Sequence, residues 1–489
     1  MEQELRRLPD GTYTGAMTDE HICGIFGCCG DWNRREVRIG ALTVYVYAID
    51  GITSGGDASE YVVKPLMQDA FGGTMDELYD RALHRTVYNS VAVPCEDLQS
   101  AAEKLVNGFT VVLFGQRAIA FETKTGEKRS PSAPEVENTV KGPKDAFTET
   151  VRTNTSLLRR HLRTPALRLY ETVVGRRSLT NVTLAWIDGL TEPALVQRMQ
   201  ARLAEIDIDG LLTPAAVEEY LTGSRPTAFP LLQYTERTDR FAQALLEGRV
   251  GLLVDGLPLG YLAPVDLGYL MTSAEDRGTD FVSASFLRVL RYAALLLGLL
   301  LPGLYVAMAA FHPQMLPTEL LQSILESKRA VPFPTIVEVL GLLAAFELLQ
   351  EASVSLPQSV GQSLSIIGGL VVGSAAVEAR LISPAALIVV AAAGICGFAI
   401  PGRSFADALR VWRMALAAAA SLAGLFGLTL GAICLVVHLA GLDSFGISYL
   451  APFSGIGGAR ALLRPRLVRE PLRDPLLRPL DRRNQGEKR

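Results

Sequence analysis

Apolar and polar positions change their rhythm near residue 285. Before it they alternate over short distances with frequent charges; after it come long stretches with no charge at all. The first stretch, 292–311, is preceded by Arg288 and Arg291 and interrupted by Pro302. At about 1.5 Å per helical residue it is long enough to span hydrocarbon. Residues 381–400 form a second uncharged run and 414–439 a third, with His438 near its end. These three are expected spans. Two weaker candidates, 335–350 and 364–380, are short or carry polar groups, which places them inside a bundle or against a cavity, because lipid penalises polar atoms. Pro332, Pro334 and Pro357 mark expected breaks between them.

Basic residues orient these runs. Arg288 and Arg291 precede the first, and from Arg460 onward nine Arg and one Lys stand against four acids. Both flanks are therefore expected on the cytoplasmic side, which requires an even number of crossings. Five candidates do not satisfy that, so either one is re-entrant or the region 414–453 bends back and crosses twice.

The polar half reads as a duplication. Residues 46–51 are VYAIDG and 184–189 are LAWIDG, each an apolar strand ending in Ile-Asp-Gly. About sixty residues beyond each comes a second pair, VNGFTVVLFG from Val106 and LEGRVGLLVDG from Leu246, at offsets of 138 and 140 residues. Two matches in one order at nearly one offset predict two related α/β subdomains with helices between their strands. One such helix is 194–206, with Leu195, Met199, Leu203 and Ile206 at helical spacing. The Ile-Asp-Gly motifs are ordinary turn chemistry. The expected division is an N-terminal extension 1–30, subdomains 31–140 and 141–285, a membrane domain 286–457 of about four to six helices, and a basic cytoplasmic tail 458–489.

Composition narrows the function classes. A net charge of −4 gives no case for nucleic acid as a partner. The six cysteines, Cys23, Cys28, Cys29, Cys95, Cys396 and Cys434, form no disulfide framework, and the first three with His21 lack a second ligand pair at zinc spacing. Cys396 and Cys434 lie in apolar runs, where a buried thiol acts as a small hydrophobe. No nucleotide-binding, metalloprotease or hydrolase motif occurs, so neither an enzyme nor a cofactor is expected. The basic group Arg159, Arg160, His161 and Arg163, with Arg176 and Arg177, reads as a solvated face or a set of salt bridges ahead of an anion site.

The candidate chemistry lies in the second half. Gly361, Ser365, Gly369 and Gly373 recur every four residues and form one small-residue stripe, a packing face. Gln362, Ser374 and Glu378 flank it and give that side a polar character, with Ile366 and Leu370 among the expected pore or packing positions. Upstream, Glu347 and Glu351 share one helix face while Glu338 falls about half a turn away. Carboxylates near a membrane attract cations; the alternative is that they reach interfacial water or bond to a neighbouring helix.

Residues 332–401 resemble the A subunit of the GerA family of spore germination receptors. So do 141–163 (KGPKDAFTETVRTNTSLLRRHLR), 174–190 (VGRRSLTNVTLAWIDGL), 206–212 and 234–264 (YTERTDRFAQALLEGRVGLLVDGLPLGYLAP). The resemblance runs from about Asp31 to Pro452. Two departures are Ser355, where a basic residue is expected, and a short N-terminus. The resemblance implies a multi-pass protein of the spore inner membrane, working with a transporter-like B subunit and a lipoprotein C subunit. It also implies a homo-oligomer around a germinant-gated path for monovalent cations. The related accessory subunit that amplifies germination is an alternative within the family. Outside it the alternative is a secondary transporter with a cytoplasmic regulatory domain, which the position of the repeat, in the soluble half, disfavours.

Overall fold

Two antiparallel five-stranded sheets with one strand order carry the polar half of the chain. In the computed structural model the described residues are 4–8, 11–68, 73–125, 134, 137, 141–223, 226–354, 373–451, 453, 462–464, 466 and 472–484. They fall into a sheet unit (1–225, 231–264, 468–489) and a helical unit (226–230, 265–467).

The first sheet holds β1 (Trp32–Ile39), β2 (Leu42–Ile49), β3 (Ala92–Cys95), β4 (Phe109–Phe114) and β5 (Arg117–Glu122), in spatial order β1-β2-β4-β5-β3. The second holds β6 (Leu167–Val174), β7 (Thr180–Ile187), β8 (Gln233–Thr235), β9 (Val250–Val254) and β10 (Gly260–Ala263), in order β6-β7-β9-β10-β8. The sequence repeats fall on equivalent strands, β2 with β7 and β4 with β9. A helix precedes the inner strand in each: α1 (Leu98–Val106) before β4 and, in the second, the helix Thr238–Glu247 before β9. The glycines explain what is repeated. Gly51 and Gly189 have φ of 87° and 69°, and Gly108 and Gly248 have 84° and 103°, a left-handed backbone that a β-carbon disfavours.

The segment before Asp31, read as an extension, belongs to the first core: Tyr13, Met17, Ile22, Ile25 and Phe26 pack with Tyr47, Leu105 and Val111. Helix α2 (Val151–His161) opens the second subdomain, and α3 (Pro193–Ala204) buries Leu195, Met199 and Leu203. Ile206 lies beyond its end, because the turn at Glu205 stops the helix before the fourth expected position. In the tail, Leu480 donates from its N–H to Leu190 O at 2.9 Å and Arg473 Nε donates to Leu246 O at 2.9 Å, so residues 472–484 pack on the second subdomain.

The helical unit contains α4 (Phe281–Phe311), α5 (Thr318–Lys328), α6 (Thr335–Val354), α7 (Pro384–Phe398) and α8 (Arg403–Gly441). Two expectations change. The run 381–400 yields a helix of only 15 residues, started by the Ser383 cap and Pro384; at about 22 Å it is shorter than the roughly 30 Å of hydrocarbon. The run 414–439 is not one straight span. Its helix starts at Arg403 and breaks at Ala423 and Gly424, where Gly424 has φ 62° and ψ −138°.

That break reverses the chain. A β-carbon on Gly427 would lie 2.1 Å from Ala419 O, and one on Gly431 would lie 2.7 Å from the Leu416 side chain. In a straight helix residues 416 and 431 would be about 22 Å apart. The limbs 403–422 and 425–441 are therefore antiparallel, as the bent-back alternative for this region requires. Gly303 of α4 sits against Leu428 and Leu416 O, at 2.9 and 3.3 Å from where its β-carbon would be, and the hairpin tip, Gly424, meets Phe311.

The outer faces of these helices are apolar and open. Leu422, Phe426, Ile395 and Phe398 are 69–85% exposed. A soluble core helix would hide such residues; this surface fits lipid. Among the described residues, Phe281–Phe311 and Arg403–Gly441 are long and apolar enough to cross a membrane.

Candidate functional site

Helix α6 supplies a carboxylate to two of the charged clusters inside the helical unit. Its residues Glu338 and Glu347 are nine apart, half a turn out of phase, so they face different neighbours.

Glu347 faces the first limb of α8. Its Oε1 accepts a hydrogen bond from Arg413 Nη2 at 2.5 Å and its Oε2 one from Arg410 Nη1 at 3.1 Å. Arg410 also donates to Gln350 Oε1 at 2.5 Å and pairs with Asp407, one helical turn before it. Arg413, only 4% exposed, uses its other terminal nitrogen on Ala393 O of α7 at 3.2 Å. One carboxylate thus ties three helices together. A cavity of about 20 Å³, enough for roughly one water, is lined by Arg410 and Arg413 together with Ala294, Gly298, Ala393 and Cys396. An ionised side chain in hydrocarbon costs about 2.5–3.5 kcal/mol by insertion scales, which pairing inside a bundle offsets.

Glu338 faces the start of α7. It is 3% exposed, and its Oε2 accepts from Ser383 N–H at 3.1 Å and from Ser383 Oγ–H at 2.6 Å. The ammonium of Lys328 lies 3.7 Å from Oε1. Around it pack Tyr305, Val306, Val339, Leu343 and Ala386.

A third cluster is aromatic. Residues 226–230 bring Phe229 between Phe405, Trp412, His438 and Tyr449, with ring centroids 5.8–6.4 Å away. Thr227 Oγ1 lies 2.9 Å from His438 Nε2.

Gly361, Gln362, Ser365, Ile366, Gly369 and Leu370 lie outside the described residues. Gly373, Ser374 and Glu378 belong to a short helix, Gly373–Glu378, where Glu378 is exposed and a β-carbon on Gly373 would meet only ordinary contacts with Leu387. Glu351 is exposed. Missing from the sequence reading are Asp407, Arg410, Arg413, Lys328, Ser383 and Tyr305. Asp407, Arg410 and Arg413 recur at three-residue steps directly ahead of the uncharged run, the signal of one polar helix stripe leading into it.

In the sheet unit several of the basic positions pair with acids. Arg159, 1% exposed, forms a bidentate pair with Asp31 at 2.8 and 3.0 Å and donates to Leu167 O at 3.1 Å. It is a salt-bridged residue and not a solvated one. Arg176 pairs with Asp207 and Arg177 with Asp209. Of the turn aspartates, Asp50 meets Arg152 at 3.2 Å and Asp188 meets Arg168 at 3.0 Å. His21 Nδ1 is 2.7 Å from Ala16 O, Cys23 donates to Asp19, and Cys29 faces Leu167 O, so these groups point to separate partners. Cys434 is exposed and Cys396 half-buried, contrary to the expectation of buried thiols: Cys434 lies on an open helix face, while Cys396 faces Gly298 of α4. Burial pushes the Glu218 carboxyl up to about 7.

The family profile described as "Bacillus/Clostridium GerA spore germination protein" matches residues 20–480. An uncharacterized membrane protein, YfkQ, of Bacillus subtilis (strain 168) is 35% identical over 87% of this chain and 83% of its own. Spore germination protein KA of the same organism is 34% identical over 90% of this chain and 82% of its own. The crystal structure of the N-terminal domain of the A subunit of the Bacillus megaterium spore germinant receptor GerK3 aligns at 26% identity and a TM-score of 0.40. It covers 54% of this chain and 97% of that one. With a profile match over most of its length and relatives of this identity along it, the chain belongs to the GerA family of spore germination proteins.

Proposed function

We propose that this chain is the A subunit of a nutrient-responsive germination receptor of the spore inner membrane, and that copies of it assemble around an ion path opened when germinant binds. A transporter-like B subunit and a lipoprotein C subunit complete the receptor, and the ions released are monovalent cations. The observation that supports this reading best is the Glu347–Arg410–Arg413 network. A helix that only anchors a protein has no use for three ionised groups in its apolar bundle, whereas an ion path does. The cavity beside it, sized for one water, corresponds to a closed state.

The directions of the described helices support a topology for this reading. The hairpin tip meets the Phe311 end of α4, and Ser383, at the start of α7, contacts Glu338 near the start of α6. Helices α6 and α7 accordingly run one way and α4 the other. In this reading the candidate 364–380 counts with the other four candidate spans, and the region 414–453, bent back on itself, crosses twice, which brings the total to six. The stripe Gly361, Ser365, Gly369 and Gly373 then packs copy against copy, and the flank of Gln362 and Ser374 faces water and ions.

Spores carrying enlarged or shortened side chains across positions 362–370 test it. The expected outcome is a shifted germination threshold with altered ion retention, and loss of the complex in Gly369→Leu or Gly373→Leu. Normal retention and germination throughout the series would contradict the pore assignment.

A further inference from the structure

The buried carboxylate of Glu338 has one oxygen committed and one open. Oε2 takes both Ser383 donors and so caps the first turn of α7. Oε1 accepts no hydrogen bond among the described residues. What faces it is the ammonium of Lys328, on the last turn of α5, at 3.7 Å, and that ammonium donates to the Thr335 hydroxyl. Tyr305 is buried in the same core as Val339 and Ala386, and its hydroxyl makes no hydrogen bond among the described residues.

A buried carboxylate needs a positive partner, since an unpaired ion in an apolar core is strongly disfavoured. Lys328 meets that need only in part. It comes from a separate short helix, its side chain is 21% exposed, and its distance to Oε1 exceeds that of a hydrogen bond. Were its stem to turn toward water, what remains would be one carboxylate oxygen and two hydroxyl oxygens, Thr335 Oγ1 and Tyr305 Oη, near the apolar side chains of Val306, Val339, Leu343 and Ala386. Oxygen donors suit a hard cation, and a single negative charge balances a single positive one.

We infer that Glu338, Thr335 and Tyr305 form a monovalent-cation site, and that Lys328 is its tethered occupant in this structure. The lysine and the free cation compete for the same carboxylate. This deepens the ion-conducting reading by giving the cation a first place to bind, yet its test needs no conduction.

The experiment is thermal unfolding of the full chain in detergent, in potassium chloride against N-methyl-D-glucamine chloride at equal ionic strength. Wild type melts alike in both. Lys328→Gln gains a potassium-specific rise of roughly 3 °C when the salt is ten times the dissociation constant, and Tyr305→Phe reduces that rise. Adding Glu338→Gln erases it. Lys328→Met, which keeps the length of the stem, serves if Lys328→Gln does not fold. Lys328 variants that melt alike in the two salts overturn the site, as does a potassium effect that survives Glu338→Gln. A chain that binds potassium here but passes no ions would contradict conduction and leave the site standing.

Discussion

Arg159 lies in a basic run, Arg159-Arg160-His161-Leu162-Arg163, and nothing within that run distinguishes it from its solvated neighbours. Its partner Asp31 is 128 positions away, so pairing and burial are invisible to local pattern. Arg159→Met leaves Asp31 buried and uncompensated, and is expected to cost about 3–5 kcal/mol. Asp31→Leu with Arg159→Met restores most of that, as denaturant unfolding of the two variants would reveal. Glu347 was legible as a carboxylate within an apolar run, but its guanidinium partners were hidden, because they stand just outside the uncharged run 414–439. Glu218, on the helix Pro214–Thr222, carries a pH signature. Burial raises its carboxyl from 4.5 to about 7, so the folded form holds a proton that the unfolded form has released. Stability then falls as pH rises from about 4.5 through 7. Glu218→Gln removes that fall: melting temperatures match wild type near pH 4.5 and exceed it at pH 8.

The repeated α/β elements were legible because their signal is backbone chemistry. Gly51 and Gly189, and Gly108 and Gly248, hold left-handed turns at equivalent strand ends, and no other residue type does this at so little cost. The hairpin within α8 was not legible as an element. Its turn is made by Ala423 and Gly424 inside an apolar stretch, with no charged residue or proline to announce a reversal. Glycines at 424, 427 and 431 are its only trace, and glycines are common in membrane helices. Gly427→Ala places a β-carbon against the Ala419 carbonyl oxygen and cannot be relieved by a rotamer change. It is expected to destabilise the helical unit by at least about 1–3 kcal/mol. Cysteine cross-linking between positions 416 and 431 measures this directly: it is efficient in the parent and weak in the Gly427→Ala background.

At the scale of the whole molecule, the division into a sheet part and a helical part was visible from charge density alone, since charge is what hydrocarbon excludes. Family membership followed from motifs spread along nearly the whole chain. Less visible was how the chain weaves between the parts. Residues 226–230 leave the second subdomain, pack Phe229 among four rings of the helical unit, and return. Residues 472–484 return to the sheet unit after the last limb. Both segments are set by long-range apolar and backbone contacts that no period of three or four residues encodes. The central claim is that this chain itself holds the ion path, closed by the network of Glu347, Arg410 and Arg413. Rubidium uptake into liposomes containing only the purified chain tests it most directly. The account predicts little uptake for wild type and a clear increase for Glu347→Ala; absence of uptake in both, with uptake appearing only when a B subunit is added alone, would contradict it.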